Sequence, residues 1–96
     1  MKLLTKEILN RIPASSEDSD DPVIHVKFFT PDSSWTWYAT EYDPETEIFF
    51  GLVDGLDREL GYFSLAELKS ARGPLGLPIE RDMHFDPRPL KELYMG

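Results

Sequence analysis

Apolar and polar residues alternate through the middle of the chain. From Val23 to Thr30, Ile24, Val26 and Phe28 fall on one side of an extended backbone and His25, Lys27 and Phe29 on the other. That period of two predicts a half-buried strand. Pro31-Asp32-Ser33-Ser34 follows, with a proline that fixes φ and side chains that bond back to the local backbone, so the chain reverses there. Trp35 to Tyr42 is rich in the aromatic and β-branched residues that suit a pleated surface and predicts a second strand. Its alternation sets Trp35, Trp37, Ala39 and Glu41 on one face, leaving Glu41 in an apolar row, against Thr36, Tyr38, Thr40 and Tyr42. After a turn at Asp43-Pro44-Glu45-Thr46, the continuous apolar run Ile48 to Val53 predicts a central strand covered on both sides. Gly51 within it points to a bulge or to a bulky neighbour close by, such as one of the tryptophans. Leu60 to Phe63 returns as a short fourth strand, completing an antiparallel meander.

The flanks carry a helical period instead. Thr5 reads as an N-cap, and Leu4, Ile8, Leu9 and Ile12 share one face of a short helix that stops at Pro13. Ala14 to Pro22 has no apolar anchor beyond Ala14 and reads as a flexible acidic connector. Ser64-Leu65-Ala66-Glu67 is a capping-box pattern that starts a helix with Leu65 and Leu68 buried. It should end at Arg72-Gly73-Pro74, with Gly73 in the left-handed conformation. Ile79 to Phe85 alternates Ile79, Arg81, Met83 and Phe85 against Glu80, Asp82 and His84, as a last, edge strand would. Pro89 to Tyr94 places a proline in the first turn of a final short helix. The fold class is therefore α+β: a four- to five-stranded mainly antiparallel meander sheet with two or three short helices packed chiefly on one face.

Composition narrows the function classes. Ninety-six residues, 41% of them hydrophobic and 12% aromatic, make one domain with one modest, aromatic-heavy core. The absence of cysteine removes disulfide, zinc-thiolate and thiol chemistry. No apolar run approaches the roughly 20 residues that cross a bilayer, and the N-terminus is too polar after Leu4 for a signal peptide, so no membrane is implied and a cytoplasmic location is expected. A formal charge of −8 disfavours phosphate backbones as partners.

Three readings of the chemistry follow. The first, and the leading one, is a non-enzymatic protein-binding module. It would bind either through an exposed aromatic patch around Trp35 or Trp37, or through carboxylates such as Glu17, Asp18, Asp20, Asp21, Asp43, Glu45 and Glu47 imitating a phosphate array on the DNA-binding surface of another protein. The second is single-stranded nucleic-acid binding, with bases stacked on Trp35, Trp37, Tyr38, Tyr42 and Tyr62 and help from Lys27 and Arg58. The third is a metal or acid–base site at Glu80, Asp82 and His84, which share a face of the last predicted strand, beside Arg81 and Asp86. There is no HExxH spacing, phosphate loop or nucleophile motif, so the balance leans away from an enzyme, and no catalytic residue, metal or cofactor is assigned. The candidate binding residues are Trp35, Trp37, Glu41, Tyr62, Glu80, Arg81, Asp82 and His84.

Taken in order, Val26-Lys27-Phe28-Phe29-Thr30-Pro31, Trp35-Thr36-Trp37, Phe50-Gly51-Leu52-Val53, Glu59-Leu60-Gly61-Tyr62-Phe63-Ser64 and Ile79-Glu80-Arg81-Asp82 resemble the bacterial domain-of-unknown-function family twenty-nine fifty-eight. The resemblance spans nearly the whole chain. It implies a small cytoplasmic accessory protein of plasmids, phages or integrative elements, with a host or element-encoded protein as partner. It brings no activity and no catalytic residue.

Overall fold

The computed structural model describes residues 2–16 and 19–95. Glu17 and Asp18, two of the carboxylates of the charge-mimicry reading, lie outside the described residues. The main sheet contains β2 (Val26–Phe29), β3 (Thr36–Asp43), β4 (Ile48–Asp54), β5 (Arg58–Ser64) and β6 (Glu80–Arg81). Its order is β5-β4-β3-β2-β6, every pair antiparallel. Two further short strands, β1 (Val23–Ile24) and β7 (Arg88–Pro89), pair in a ribbon of their own. The helices are α1 (Lys6–Arg11), α2 (Leu65–Ser70) and α3 (Lys91–Met95). This is the α+β meander that the residue pattern predicts.

Both faces of the sheet are covered. The larger cluster joins Val26, Phe28, Ala39, Tyr42, Phe49 and Phe63 to Ile8 of α1, to Leu65 and Leu68 of α2, and to Leu3, Ile12 and Ile79. The smaller one, on the opposite face, packs Leu52 and Tyr38 under Ile24, Phe85, Leu90 and Leu93. Phe49 and Leu52, three apart on β4, are both fully buried on opposite sides, as the continuous apolar run of that strand requires.

Several local expectations are corrected. The predicted first strand is two: the chain breaks at His25, whose N–H donates to the Ala39 carbonyl, and Ile24 crosses to the smaller cluster while Val26 and Phe28 stay in the larger. Thr40 is an extra residue on β3, where the register shifts between Ala39 and Glu41. Such a bulge reverses the alternation beyond it. Tyr42 thus joins Ala39 in the core, and Glu41, opposite Phe50, leaves the apolar row that strict alternation predicts for it. The Thr40 side chain is buried and its hydroxyl donates to the Phe50 carbonyl at 3.2 Å, which satisfies a group the bulge would otherwise strand.

The neighbour of Gly51 is backbone, not indole: a Cβ there would lie 1.8 Å from the Tyr38 carbonyl oxygen. Trp35 lies instead against Gly55, where a Cβ would come within 2.4 Å of the ring.

The helix caps form as read, with Thr5 Oγ1 accepting from Ile8 N and Ser64 Oγ from Glu67 N at 3.0 Å. Leu9, however, is exposed and Leu3 is buried in its place, because α1 runs only six residues and the flanking chain supplies the rest of the apolar stripe. α2 ends at Ser70, earlier than expected, with Ala71 already extended. Gly73 is not left-handed, and among the described glycines the positive φ falls on Gly76.

Candidate functional site

The predicted residues separate into three places. Trp35 and Trp37 sit together, ring centroids 6.0 Å apart, on the face of the larger cluster; Trp37 packs into that core and Trp35 lines a shallow groove with Val53, Leu56 and Glu59. Tyr38 and Tyr62 occupy the opposite face and Tyr42 is buried, so the five aromatics proposed for base stacking do not make one platform.

Glu80, Arg81, Asp82 and His84 do line one groove, together with Lys27, Phe29 and Met83. They do not share a strand face. The alternation from Ile79 to Phe85 yields only the two-residue β6, after which Asp82 N donates to the Lys27 carbonyl and His84 N to Asp82 Oδ1 in a tight turn. The other oxygen of Asp82 faces Lys27 Nζ at 3.6 Å, and Arg81 Nη1 donates to the Lys2 carbonyl. These groups therefore hold the edge of the sheet together. Among the described residues no three His, Cys, Asp or Glu gather closely enough to hold a metal ion. β6 pairs with β2 at the sheet edge, Glu80 opposite Phe29, and Lys27 and Phe29 face away from Phe28 and its partner Trp37, so this groove and the tryptophans lie on opposite faces.

Glu41 and Tyr62 come together, and the bulge at Thr40 is the reason. By turning Glu41 to the face of Phe50 and Tyr62, it builds a row across three strands: Glu41 on β3 opposite Phe50 on β4, opposite Tyr62 on β5. Phe50 and Tyr62 meet edge to face at 4.9 Å, and Tyr62 remains 77% exposed. Two adjoining grooves of about 330 and 260 Å³ share these three residues. One is walled by Ala14, Ser15, Asp43 and Thr46, the other by Ser16, Ser19 and Pro22. Among the described lining residues there are two carboxylates, Glu41 and Asp43, and no lysine, arginine or histidine.

The acidic connector shapes this place. Tyr42 N donates to the Pro13 carbonyl, Ser16 Oγ donates to Glu41 Oε2, and Asp21 Oδ1 accepts from Lys91 N at the start of α3. The connector's described residues are thereby laid along the end of β3 and tied to the C-terminal helix. The β3–β4 turn adds Glu45 and Glu47 beside Asp43, and the Glu47 carbonyl accepts from Leu65 N. Negative potential at this end is registered by Tyr42, whose phenol is held above the usual tyrosine range by burial first and then by Glu47 and Asp43. Sequence reasoning missed Phe50 and the walls formed by Ala14, Ser15, Ser16, Ser19 and Pro22. The one signal available was that β3 had two half-apolar faces, which a bulge reconciles.

A second polar groove lies beneath the β1–β2 break, lined by Thr5, Glu7, Arg11, His25, Arg81, Asp82 and Asp86. Arg11 Nη2 donates to the His25 carbonyl at 2.8 Å, and His25 Nδ1 is buried with no hydrogen-bond partner among the described residues. Burial, and then the nearby Arg11 charge, hold the His25 imidazole below its ordinary range and so in the neutral form.

Fold and surface together define an α+β protein built on a five-stranded antiparallel meander, with an acidic, aromatic groove at one end of the sheet. Among the described residues no helix is long and apolar enough to cross a membrane. The chain belongs to the family described as "Protein of unknown function (DUF2958)", whose model matches residues 2–95. No curated protein and no solved structure matches it.

Proposed function

We propose that this chain is a non-enzymatic protein-binding module, a cytoplasmic accessory protein of a bacterial mobile element, that docks a positively charged protein surface at the Glu41–Phe50–Tyr62 row. The observation that carries the reading is the pair of adjoining grooves sharing those residues, with carboxylates at Glu41 and Asp43 and no cationic side chain among their described lining. An exposed tyrosine braced by a second ring is the usual form of an interface anchor, because it contributes large contact area at small entropic cost. Carboxylates around it select a cationic partner and speed its approach. A nucleic-acid-binding protein, whose own basic surface is made for a phosphate array, is the partner class this charge pattern suits.

The test is capture from nuclease-treated bacterial lysate on the tagged full chain, followed by binding measurements on the retained protein. A stoichiometric partner is expected to lose about 30-fold in affinity on Tyr62→Ala, the effect of a hot-spot residue worth about 2 kcal/mol. Its binding should also weaken when Glu41→Gln and Asp43→Asn are combined and as salt rises. A partner indifferent to all three changes would overturn the reading. Quenching of tryptophan emission by short single strands would put nucleic acid in its place.

A further inference from the structure

The two edges of the sheet are unlike. At one, β6 is two residues long, and Pro78 and Pro87 lie close on either side of it in sequence. At the other, β5 runs seven residues in unbroken register with β4, from Arg58 opposite Asp54 to Ser64 opposite Ile48. Edge strands are ordinarily protected by proline, a bulge, a covering element or charge, since half of their amides and carbonyls face outward and will pair with any extended chain. β5 has no proline and no bulge. Its charges stop at Glu59, and Arg58 is turned aside to Asp54 and to the Leu93 carbonyl. Among the described residues, Glu59 to Phe63 have no backbone hydrogen bond to any strand but β4.

The side chains along this edge agree. Leu60 and Tyr62, alternate residues on one face, are 49% and 77% exposed. On the other face Gly61 leaves open space, with nothing within 4 Å of where a Cβ would stand. Room is left for the side chains of an added strand, and apolar surface for them to cover.

We propose that β5 is a docking edge: an extended segment of a partner protein, bearing lysine or arginine, adds to it as a sixth strand. This rests on the reading of the partner as cationic and supplies its mode of attachment. Charge picks the occupant. Glu59 lies on the edge, Glu67 follows in the first turn of α2, and Glu41 and Asp43 stand behind Tyr62. A second copy of this chain would bring a further charge of −8 to the same place. Main-chain bonding would then supply affinity, and the Tyr62 side of the strand the specificity.

Two end-capped octapeptides of alternating valine and lysine serve as probes on the full chain at low salt, one unmodified and one N-methylated at every residue so that neither of its edges has donors. With the unmodified peptide at ten times its Kd, hydrogen exchange of amides within Glu59 to Phe63 is expected to slow by about tenfold. The methylated peptide should give no such protection, and Leu60→Lys, a change at an exposed position, should weaken binding of the unmodified one. If both peptides bind alike, shifting resonances of Glu41 and Tyr62 with β5 exchange unchanged, strand addition is overturned while the cationic-partner reading stands. If neither peptide shifts any resonance, both are overturned. Protection of β5 that appears without peptide, together with a doubled mass at higher protein concentration, would make a second copy the occupant and overturn the proposal.

Discussion

His25 has two constraints that pull on its charge in the same direction. Its backbone breaks the first predicted strand in two, and its ring sits beside Arg11 with Nδ1 buried and unpartnered. Protonating it in the folded state means charging a desolvated ring next to a guanidinium, in a groove where Glu7, Arg81, Asp82 and Asp86 also stand. The folded pKa therefore lies below the unfolded value of 6.5, so the unfolded chain takes up the proton first as pH falls. Stability that is fully present above pH 6.5 should decline as pH drops through the window below it. Urea midpoints at pH 7.5 and 5.5 would show this loss in the native chain and a smaller one in His25→Gln. Equal losses in both would mean that this ring is not the group responsible. The sequence pattern set His25 in an alternating run opposite Ile24, Val26 and Phe28, whereas the strand breaks there, and its burial depends on α1 and the segment after β6, more than a dozen residues away on either side.

Among elements, the β3–β4 pair decides the most. β3 carries one residue too many for its neighbour, and the surplus at Thr40 is absorbed opposite Gly51, where the Tyr38 carbonyl passes too close for any side chain. Gly51→Ala should destabilise the protein by more than about 3 kcal/mol, since backbone on both strands would have to move. Gly61→Ala, directly across β4–β5 from Gly51 but facing open space, should change stability by less than about 1 kcal/mol. Equilibrium urea unfolding of the two variants checks both; similar losses would show that strand spacing at the bulge is not what Gly51 provides. The caps, the strands of the meander and the interior position of β4 were legible because each depends on a few adjacent residues. The bulge was not, because a period-two pattern with apolar residues on both faces fits either register, and only the burial of Tyr42 against Phe49, at 4.6 Å, chooses between them.

For the molecule as a whole, charge is the main unspent asymmetry. Eighteen aspartates and glutamates face ten lysines and arginines, and Glu41, Asp43, Glu45 and Glu47 follow one another round one end of the sheet. Like charges kept that close favour the expanded chain, and salt screens them over about 8–10 Å. Adding 0.3 M sodium chloride should raise the thermal midpoint by a shift on the order of 4–8 °C, what about 1 kcal/mol amounts to in a chain this size. The shift should be smaller in a variant with Glu45→Gln and Glu47→Gln. An unchanged midpoint would mean that this end carries no appreciable repulsion when the protein is alone.

By itself the sequence determined the parts that rest on local physics: the α+β class, the strands of the meander, Thr5 and Ser64 as caps, and the aromatic weight of the core. Periodicity and capping are properties of neighbouring residues and need no partner to be read. Tertiary structure alone decided which face each group reaches. It sent Ile24 and Val26 to opposite clusters, reduced the run from Ile79 to Phe85 to two paired residues, and turned Glu41 from an apolar row to the side of Phe50 and Tyr62. One residue of register exchanges the two faces of a strand, and that residue is set by the strand alongside, not by the strand's own sequence.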